Sequence, residues 1–328
     1  MIQPRIVDIE LTNACNQRCG FCLRATMRRP TGSMSLTLFK KIVDELTTFD
    51  FPRWGKVVLA GFGEPTLHPQ FVEAVEYAGD RHLPLRVYTN GTGLNNVVCR
   101  RLMHPGIQSL KLSLNVHGPD MLARVIGKAA SWETLVQRIR TLLRARARSE
   151  GGPEITIQLL YTGDLLPQVR EREPALLDTP AAALEAVRFW QTQARAIAEE
   201  TGTVPRVSPV TQADVRPGQT FGLLENVDLK LCPYLPYRTH FDSARDWPSG
   251  LNFDNCTRHF NNVVIFHEGS CTPCCTDVNC EMYLGNVATS SVMEIFNAPP
   301  ARHNRARWRA GQPVGELCRI CLAGNEVS

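Results

Sequence analysis

Short apolar segments alternate with amphipathic segments over the first 210 residues of the chain. Six of the apolar segments have the length and the aliphatic, β-branched content of buried strands. They are residues 5–11, 56–60, 85–89, 109–114, 154–161 and 204–210. Apolar residues with helical spacing predict helices between them, at residues 70–79, 94–103, 131–147 and 181–200. This alternation is typical of βα units around a parallel sheet, so the predicted fold class is α/β.

A helix is also predicted between the first two strands. Ser35 is a suitable N-cap, and Leu38, Ile42, Val43 and Leu46 then recur at helical spacing to form one apolar face. Six βα units make a partial (βα)6 barrel rather than the full eight-unit barrel.

The pattern also suggests domain boundaries. Periodicity fades after residue 212, and prolines interrupt a segment that we interpret as a linker or a substrate-facing lid, residues 213–255. Residues 256–328 are rich in cysteine and form a predicted small C-terminal domain. Within it, residues 263–269 predict a strand and a hairpin turn, and residues 291–297 a short helix.

Composition limits the functional classes. With 328 residues and 43% hydrophobic content, the chain can bury one large core. It has no apolar run of the roughly 18 residues that span a bilayer, and no signal peptide precedes the first strand, so we expect a cytoplasmic protein without a membrane partner. Twelve cysteines then favour metal ligation over disulfides. The net charge of +4 is too small to predict nucleic-acid binding.

Three cysteines follow the first predicted strand at short spacing: Cys15, Cys19 and Cys22. Three thiolates on one loop can hold three irons of a [4Fe–4S] cluster and leave the fourth iron open to another ligand. Zinc ligands or reducible thiols are alternative interpretations of the triplet.

The spacing resembles the signature of the radical S-adenosylmethionine (radical SAM) enzymes. The resemblance implies that S-adenosylmethionine chelates the open iron and is cleaved to a 5′-deoxyadenosyl radical, which abstracts a hydrogen from the substrate. It also implies that Phe21, directly before the third cysteine, lies near the adenine. A partial barrel resembles the core of this family.

Residues at later strand ends resemble cofactor-binding positions of the same family. Gly61, Gly63 and Glu64 follow the second strand and resemble a glycine-glycine-glutamate-proline motif with Phe62 interposed. Further candidates, implied by the resemblance or by position at later strands, are Asn90, Ser113, Asn115 and Gln158. A tight turn is the simpler explanation for the glycines, and a satisfied core amide for Gln158.

A second group of cysteines lies in the C-terminal part. Cys256, then Gly269, then Cys274 resemble the opening of the auxiliary iron–sulfur domain called SPASM. Only residues 322–328 follow Cys321, so the longer SPASM pattern is incomplete and the segment resembles the shorter twitch form. That resemblance implies one auxiliary [4Fe–4S] cluster, with ligands Cys256, Cys274, Cys318 and Cys321. A zinc ribbon is the alternative.

Five cysteines remain: Cys99, Cys232, Cys271, Cys275 and Cys280. Cys99 falls in a predicted helix and should be a small buried residue. The other four could bind a third cluster, although they lack paired spacing. Cys275 is the candidate hydrogen donor to a substrate radical, because in an extended segment its side chain would point away from that of Cys274.

These features predict a radical SAM oxidoreductase or epimerase with two [4Fe–4S] clusters and an external one-electron donor such as flavodoxin or ferredoxin. By resemblance to short twitch enzymes, the expected substrate is a small polar molecule, sugar- or cyclitol-like, from natural-product biosynthesis. The chain begins almost on its first strand, so we expect no leader-binding module. The alternatives are a peptide-modifying enzyme, a maturase for another protein, and a non-catalytic electron carrier.

Overall fold

The computed structural model describes residues 1–125, 131–162, 177–233 and 256–318. The chain divides into two compact units. The first contains the described parts of Met1–Cys15, Phe21–Pro84 and Pro236–Ser328, and the second those of Asn16–Gly20 and Leu85–Leu235. Each unit is built on its own set of strands.

The strands, in chain order, are β1 (Ile6–Ile9), β2 (Lys56–Leu59), β3 (Leu85–Thr89), β4 (Ile107–Asn115), β5 (Glu154–Tyr161), β6 (Thr220–Leu224), β7 (Val227–Pro233), β8 (Asn262–Ile265), β9 (Ser270–Thr272) and β10 (Gly285–Asn286). The helices are α1 (Leu36–Leu46), α2 (Phe71–Gly79), α3 (Asn96–Leu102), α4 (Pro119–Val125), α5 (Trp132–Ala147), α6 (Pro180–Thr201), α7 (Arg258–Asn261), α8 (Val292–Asn297) and α9 (Pro299–Arg309).

In the first unit the strand order is β10-β9-β8-β1-β2. β1 pairs in parallel with both β2 and β8, while β9 pairs antiparallel with β8 and β10. Val7 and Ile9 are fully buried on one face of β1. Alternation places Asp8 and, just past the strand, Glu10 on the opposite face. The C-terminal ends of β1, β2 and β8 therefore meet at one edge.

In the second unit the strand order is β3-β4-β5-β7-β6. The first four of these strands are parallel, and β6 forms an antiparallel hairpin with β7. The strand predicted at residues 204–210 is wrong: these residues form no strand, and Val204 is 80% exposed. Pro205 and Pro209 lack the N–H groups that a ladder requires. The strand next to β5 is instead β7, which lies in the segment predicted as a linker or lid.

The predicted helices are present within one or two residues of their predicted ends. Ser35 caps α1 by accepting a hydrogen bond from the N–H of Leu38 at 3.2 Å, and the buried face carries Ile42, Val43 and Leu46, with Phe39 in place of the predicted Leu38. The α/β class is therefore confirmed, as is the strand and turn at residues 263–269. Across the described residues, no helix combines the length and apolarity needed to cross a bilayer.

Candidate active site

The loop that follows β1 is fixed by its first two polar side chains. The hydroxyl of Thr12 donates to the carbonyl of Gly32 at 2.7 Å and accepts from the N–H of Ala14 at 3.1 Å. The side chain of Asn13 accepts from the N–H of Gly32 and donates to the carbonyl of Pro30, both at 2.8 Å. These bonds close a loop over residues 12–33, so the cysteine segment is anchored at its start.

The three cysteines of the loop, Cys15, Cys19 and Cys22, are half-buried. Burial raises the pKa of the Cys22 thiol, while Arg24 lowers it. Phe21 is half-buried beside Cys22. Three thiols within eight residues form a donor set that fits an iron–sulfur cluster.

The loop after β2 packs directly on the backbone of the cysteine loop. A Cβ at Gly63 would lie 2.1 Å from the carbonyl oxygen of Thr12 and 2.7 Å from that of Ala14, so only glycine fits. The N–H of Glu64 donates to the carbonyl of Ala14 at 2.8 Å. The predicted cofactor-binding loop and the cysteine loop are thus one packed assembly.

Glu64 is buried, and one of its carboxylate oxygens is used locally. Oε1 accepts from the N–H of Thr66 at 3.1 Å and from its hydroxyl at 2.6 Å, which caps the short 3-10 turn Pro65–Leu67. The predicted cofactor contact must therefore coexist with a capping role.

Asn90, at the end of β3, contacts Asn16 of the cysteine segment within the second unit. Its Nδ2 donates to Oδ1 of Asn16 at 3.1 Å, and its Oδ1 accepts from the N–H of Thr92 at 2.9 Å. The side chain of Asn16 in turn donates to the hydroxyl of Thr92 at 2.8 Å. These amides tie the end of β3 to residues 16–20.

Ser113, Asn115 and Gln158 lie together on β4 and β5, where Ser113 pairs with Gln158 in the ladder. Oδ1 of Asn115 and Oε1 of Gln158 are buried, and neither has a hydrogen-bond partner among the described residues. Asn115 also adopts a left-handed backbone with φ of 60°, next to a register shift between β4 and β5. Two orphaned acceptors at a strained strand end fit a ligand that donates hydrogen bonds, such as a ribose or an ammonium group.

The predicted auxiliary ligands Cys256, Cys274 and Cys318 all belong to the first unit, while Cys321 lies outside the described residues. The charge of Cys274 contributes to the raised pKa of Cys256, after the larger effect of burial, so the two thiols interact. Cys318 is buried, with its Sγ 3.6 Å from Nε2 of His259. Thiols are the usual ligands of iron–sulfur clusters, so the chemistry of these side chains fits such a cluster.

Asp277 organises the turn after Cys274. Its carboxylate accepts from the hydroxyl of Thr272 at 2.6 Å and from the N–H groups of Glu281 and Met282 at 2.8 and 2.9 Å. Its own N–H donates to the carbonyl of Cys274 at 3.1 Å. The turn therefore replaces the extended segment that we predicted for residues 274 and 275.

Cys275 nevertheless has a partner different from that of Cys274. Its Sγ accepts from Nη1 of Arg258 at 2.7 Å, whereas Sγ of Cys274 lies 3.0 Å from the hydroxyl of Thr276. Burial raises the pKa of Cys275 to about 11 despite the opposing charge of Arg258. Asp8 of β1 belongs to the same electrostatic group: burial raises its pKa to about 6, against the charges of Lys56 and Arg258.

The other cysteines lie in more ordinary surroundings. Cys99 is buried in α3, as predicted, and burial raises its pKa to about 12. Cys271 is fully buried on β9, and Sγ of Cys280 donates to its carbonyl at 3.6 Å. Cys232 is half-buried on β7.

Sequence reasoning missed a buried charge cluster at the shared edge of β1 and β8. Glu10 is fully buried and pairs with Arg29, and His267 and Glu268 complete the cluster. Ligand atoms of Glu10, His267 and Glu268 lie within 4.8 Å of one another, but Arg29 engages both carboxylates. The sequence signal was Glu10 itself, an acidic residue continuing a buried strand.

Comparison with known families covers both cysteine groups. Residues 9–159 match the radical SAM superfamily, and residues 256–322 match SPASM, an iron–sulfur cluster-binding domain. These domains bind S-adenosylmethionine with a [4Fe–4S] cluster and auxiliary iron–sulfur clusters, respectively.

Three relatives show the range of similar proteins. The chain is 28% identical over 177 residues to the tungsten-containing aldehyde ferredoxin oxidoreductase cofactor-modifying protein of Pyrococcus furiosus, covering 54% of this chain and 49% of the relative. It is 33% identical over 186 residues to the mycofactocin maturase MftC of Mycobacterium ulcerans, covering 57% and 47%. It is 30% identical over 107 residues to the S-adenosyl-L-methionine-dependent 2-deoxy-scyllo-inosamine dehydrogenase of Niallia circulans, covering 31% and 42%. The chain thus matches about half the length, or less, of these relatives.

A solved structure extends the similarity in fold to nearly the whole chain. The crystal structure of BtrN in complex with AdoMet and 2-DOIA aligns with a TM-score of 0.52 over 97% of this chain and 93% of that one, at 17% identity. Residues 9–159 therefore form a radical SAM domain and residues 256–322 a SPASM-type domain, on an α/β fold that the BtrN structure shares.

Proposed function

We propose that this chain is a radical SAM dehydrogenase or epimerase of a small polar substrate with a sugar- or cyclitol-like ring. Cys15, Cys19 and Cys22 would hold the first cluster, and Gly61, Gly63, Glu64 and the amides of β4 and β5 would bind S-adenosylmethionine. When bound, the cluster and S-adenosylmethionine supply the radical that removes a hydrogen atom from the substrate. An external one-electron donor such as flavodoxin or ferredoxin would reduce the protein.

One observation carries this proposal: Cys256, Cys274 and Cys318 lie in the part of the chain that matches SPASM, an iron–sulfur cluster-binding domain. With Cys321 they would supply four thiolates to an auxiliary cluster. Cysteine ligation at all four irons leaves no position for substrate, so the residues point to outer-sphere electron transfer or to a thiol donor. The 2-deoxy-scyllo-inosamine dehydrogenase relative supports the first route.

The two routes differ in what happens after hydrogen abstraction from an alcohol carbon. Loss of one electron and of the hydroxyl proton gives a ketone. Return of a hydrogen atom from the opposite face gives an epimer, and Cys275, held by Arg258, is the candidate donor.

The test is turnover of 2-deoxy-scyllo-inosamine and related aminocyclitols in deuterated water by the anaerobically reconstituted enzyme. A product two hydrogens lighter without deuterium supports dehydrogenation. A product that gains one deuterium at the reacting carbon in the wild type but not in Cys275→Ala supports epimerisation. The variants Cys271→Ala and Cys280→Ala are matched controls from the same domain. If S-adenosylmethionine is not cleaved, the chain is an electron carrier instead.

A second candidate is modification of a peptide or protein. It is favoured by the mycofactocin maturase relative, which has the highest identity of the three. The test adds a leader peptide or a co-purifying client protein to the enzyme. It measures whether cleavage of S-adenosylmethionine increases and whether the added peptide or protein gains or loses mass. A stimulation by peptide and none by aminocyclitols would favour this candidate.

A further inference from the structure

The buried ion pair between Glu10 and Arg29 contacts both the predicted cofactor-binding loop and the SPASM-type segment of the first unit. The carboxylate of Glu10 is fully buried, and Arg29 is only 8% exposed. The guanidinium donates from Nη1 to Oε1 at 2.9 Å and from Nη2 to Oε2 at 3.1 Å, which is the bidentate geometry that arginine favours. Burial alone would raise the pKa of Glu10, but hydrogen bonds from His267 and Arg29 outweigh it and lower the pKa below its ordinary value.

Glu10 also touches the predicted cofactor-binding loop. Its Oε2 accepts the backbone N–H of Phe62 at 3.1 Å. A Cβ on Gly61 would lie 2.6 Å from Cγ of Glu10, so the loop backbone lies directly against this side chain. Glu10 therefore fixes the orientation of the peptide between Gly61 and Phe62, two residues before Glu64.

Arg29 reaches the auxiliary domain with its other groups. Nε donates to the carbonyl of Val278 at 2.7 Å, in the turn between Cys274 and Cys280. The guanidinium carbon lies 3.7 Å from the centre of the Phe266 ring, and Nη1 also contacts Glu268 at 3.2 Å. Arg29 thus links Glu10, which contacts the cofactor-binding loop, to the SPASM-type segment.

We propose that Arg29 is a positioning residue for S-adenosylmethionine, acting through Glu10 on the peptide of Phe62 and anchored by the auxiliary domain. The inference rests on the proposed role of Gly61–Glu64 in cofactor binding. A carboxylate held on both oxygens keeps the loop in one arrangement before the cofactor arrives, and such pre-organisation reduces the cost of binding. Loss of Arg29 leaves a buried carboxylate without its cation, and the loop loses its fixed acceptor.

The experiment compares four variants by their affinity for S-adenosylmethionine, measured by anaerobic equilibrium dialysis, and by the electron paramagnetic resonance spectrum of the reduced protein with and without cofactor. We expect Arg29→Gln and Glu10→Gln to weaken binding about tenfold, equal to about 1.4 kcal/mol, with iron content unchanged. Arg29→Lys keeps the positive charge but loses the bidentate geometry of the guanidinium group. Its affinity for S-adenosylmethionine should therefore lie between those of the two glutamine variants and that of the wild type. The adjacent Arg28→Gln is the control, because the pair that the Arg28 side chain forms with Glu281 is solvent-exposed.

The double variant Glu10→Leu/Arg29→Leu separates positioning from stability. Replacing both charges by apolar groups removes the buried-charge penalty, so the protein should fold and keep its iron even if Arg29→Gln does not. We expect its affinity for S-adenosylmethionine to stay low and the cofactor-induced change in the spectrum to be altered. Wild-type affinity in the double variant would overturn the inference, whereas a wild-type protein that does not bind S-adenosylmethionine would overturn the proposed function instead.

Discussion

The two cysteine groups differ in how far their members lie apart in the sequence. Cys15, Cys19 and Cys22 lie within eight consecutive positions, whereas the second group extends from Cys256 to Cys321. The first loop is held by short-range side-chain bonds of Thr12 and Asn13. The second depends on three short strands, β8 to β10, and on the turn built around Asp277. A local group needs only its loop to form, but a dispersed group needs a folded domain.

The difference also concerns ligand number. Three thiolates leave an open iron for S-adenosylmethionine, and four close the cluster. We therefore expect loss of the first group to stop the chemistry at its start, and loss of the second to stop it after cofactor cleavage. Substitutions in either group test this contrast.

The largest effect is expected when Cys15, Cys19 and Cys22 are replaced together by alanine. Anaerobically reconstituted wild type should hold about eight irons, and the triple variant about four. Formation of 5′-deoxyadenosine should be abolished. Iron analysis and chromatography of the nucleoside measure both quantities. An unchanged iron count in the triple variant, or zinc bound to the C-terminal part, would contradict the prediction of two iron–sulfur clusters.

The next effect is expected for Cys318→Ala, in the dispersed group. Loss of one of four ligands should again reduce iron to about four per chain. Because the first loop is unchanged, 5′-deoxyadenosine should still form while the oxidised product does not. Cys99→Ala, in the buried core of α3, serves as the control. Complete loss of cofactor cleavage in Cys318→Ala would show that the two groups are not independent.

The sequence predicted the local features better than the dispersed ones. α1 was found because Ser35 caps a regular apolar face, and α5 because its apolar residues recur at helical spacing. The β6–β7 hairpin was missed because its segment is short and lies near prolines, and its place beside β5 is a long-range pairing. The Glu10–Arg29 ion pair could not be predicted from the sequence either, because 19 positions separate the two residues and they meet only when the cysteine loop closes.

A smaller effect is expected for Glu64→Gln. The glutamine keeps an acceptor for the N–H and hydroxyl of Thr66, so the 3-10 turn and both clusters should persist. The negative charge that could hold the cofactor's ammonium group is lost, so affinity for S-adenosylmethionine should fall by about tenfold. Glu73→Gln, on the exposed face of α2, is the control. A loss of iron in Glu64→Gln would indicate that the residue is structural.

The last effect concerns the stability of the folded chain rather than its activity. It depends on Asp8, which lies on the strand that leads into the first loop and is electrostatically linked to Arg258. Burial raises its pKa from 3.8 to about 6. Because the folded state binds the proton more tightly than the unfolded state, ionisation of Asp8 opposes folding. The penalty is present in full above pH 6 and disappears as the pH falls through 6 towards 3.8. A shift of roughly two pKa units sets its upper limit at about 3 kcal/mol.

Asp8→Asn removes this ionisation, so the variant should be more stable than the wild type at pH 8, by no more than that limit. Its advantage should shrink as the pH is lowered. Anaerobic thermal unfolding of the two proteins at pH 8 and pH 5.5 measures the difference. Glu133→Gln, at the exposed start of α5, controls for a general effect of removing one negative charge. A destabilised Asp8→Asn at pH 8 would mean that the attraction of Arg258 and Lys56 exceeds the cost of burying the carboxylate. Asp8 would then be a stabilising link between β1 and the auxiliary segment rather than a strained group at their junction.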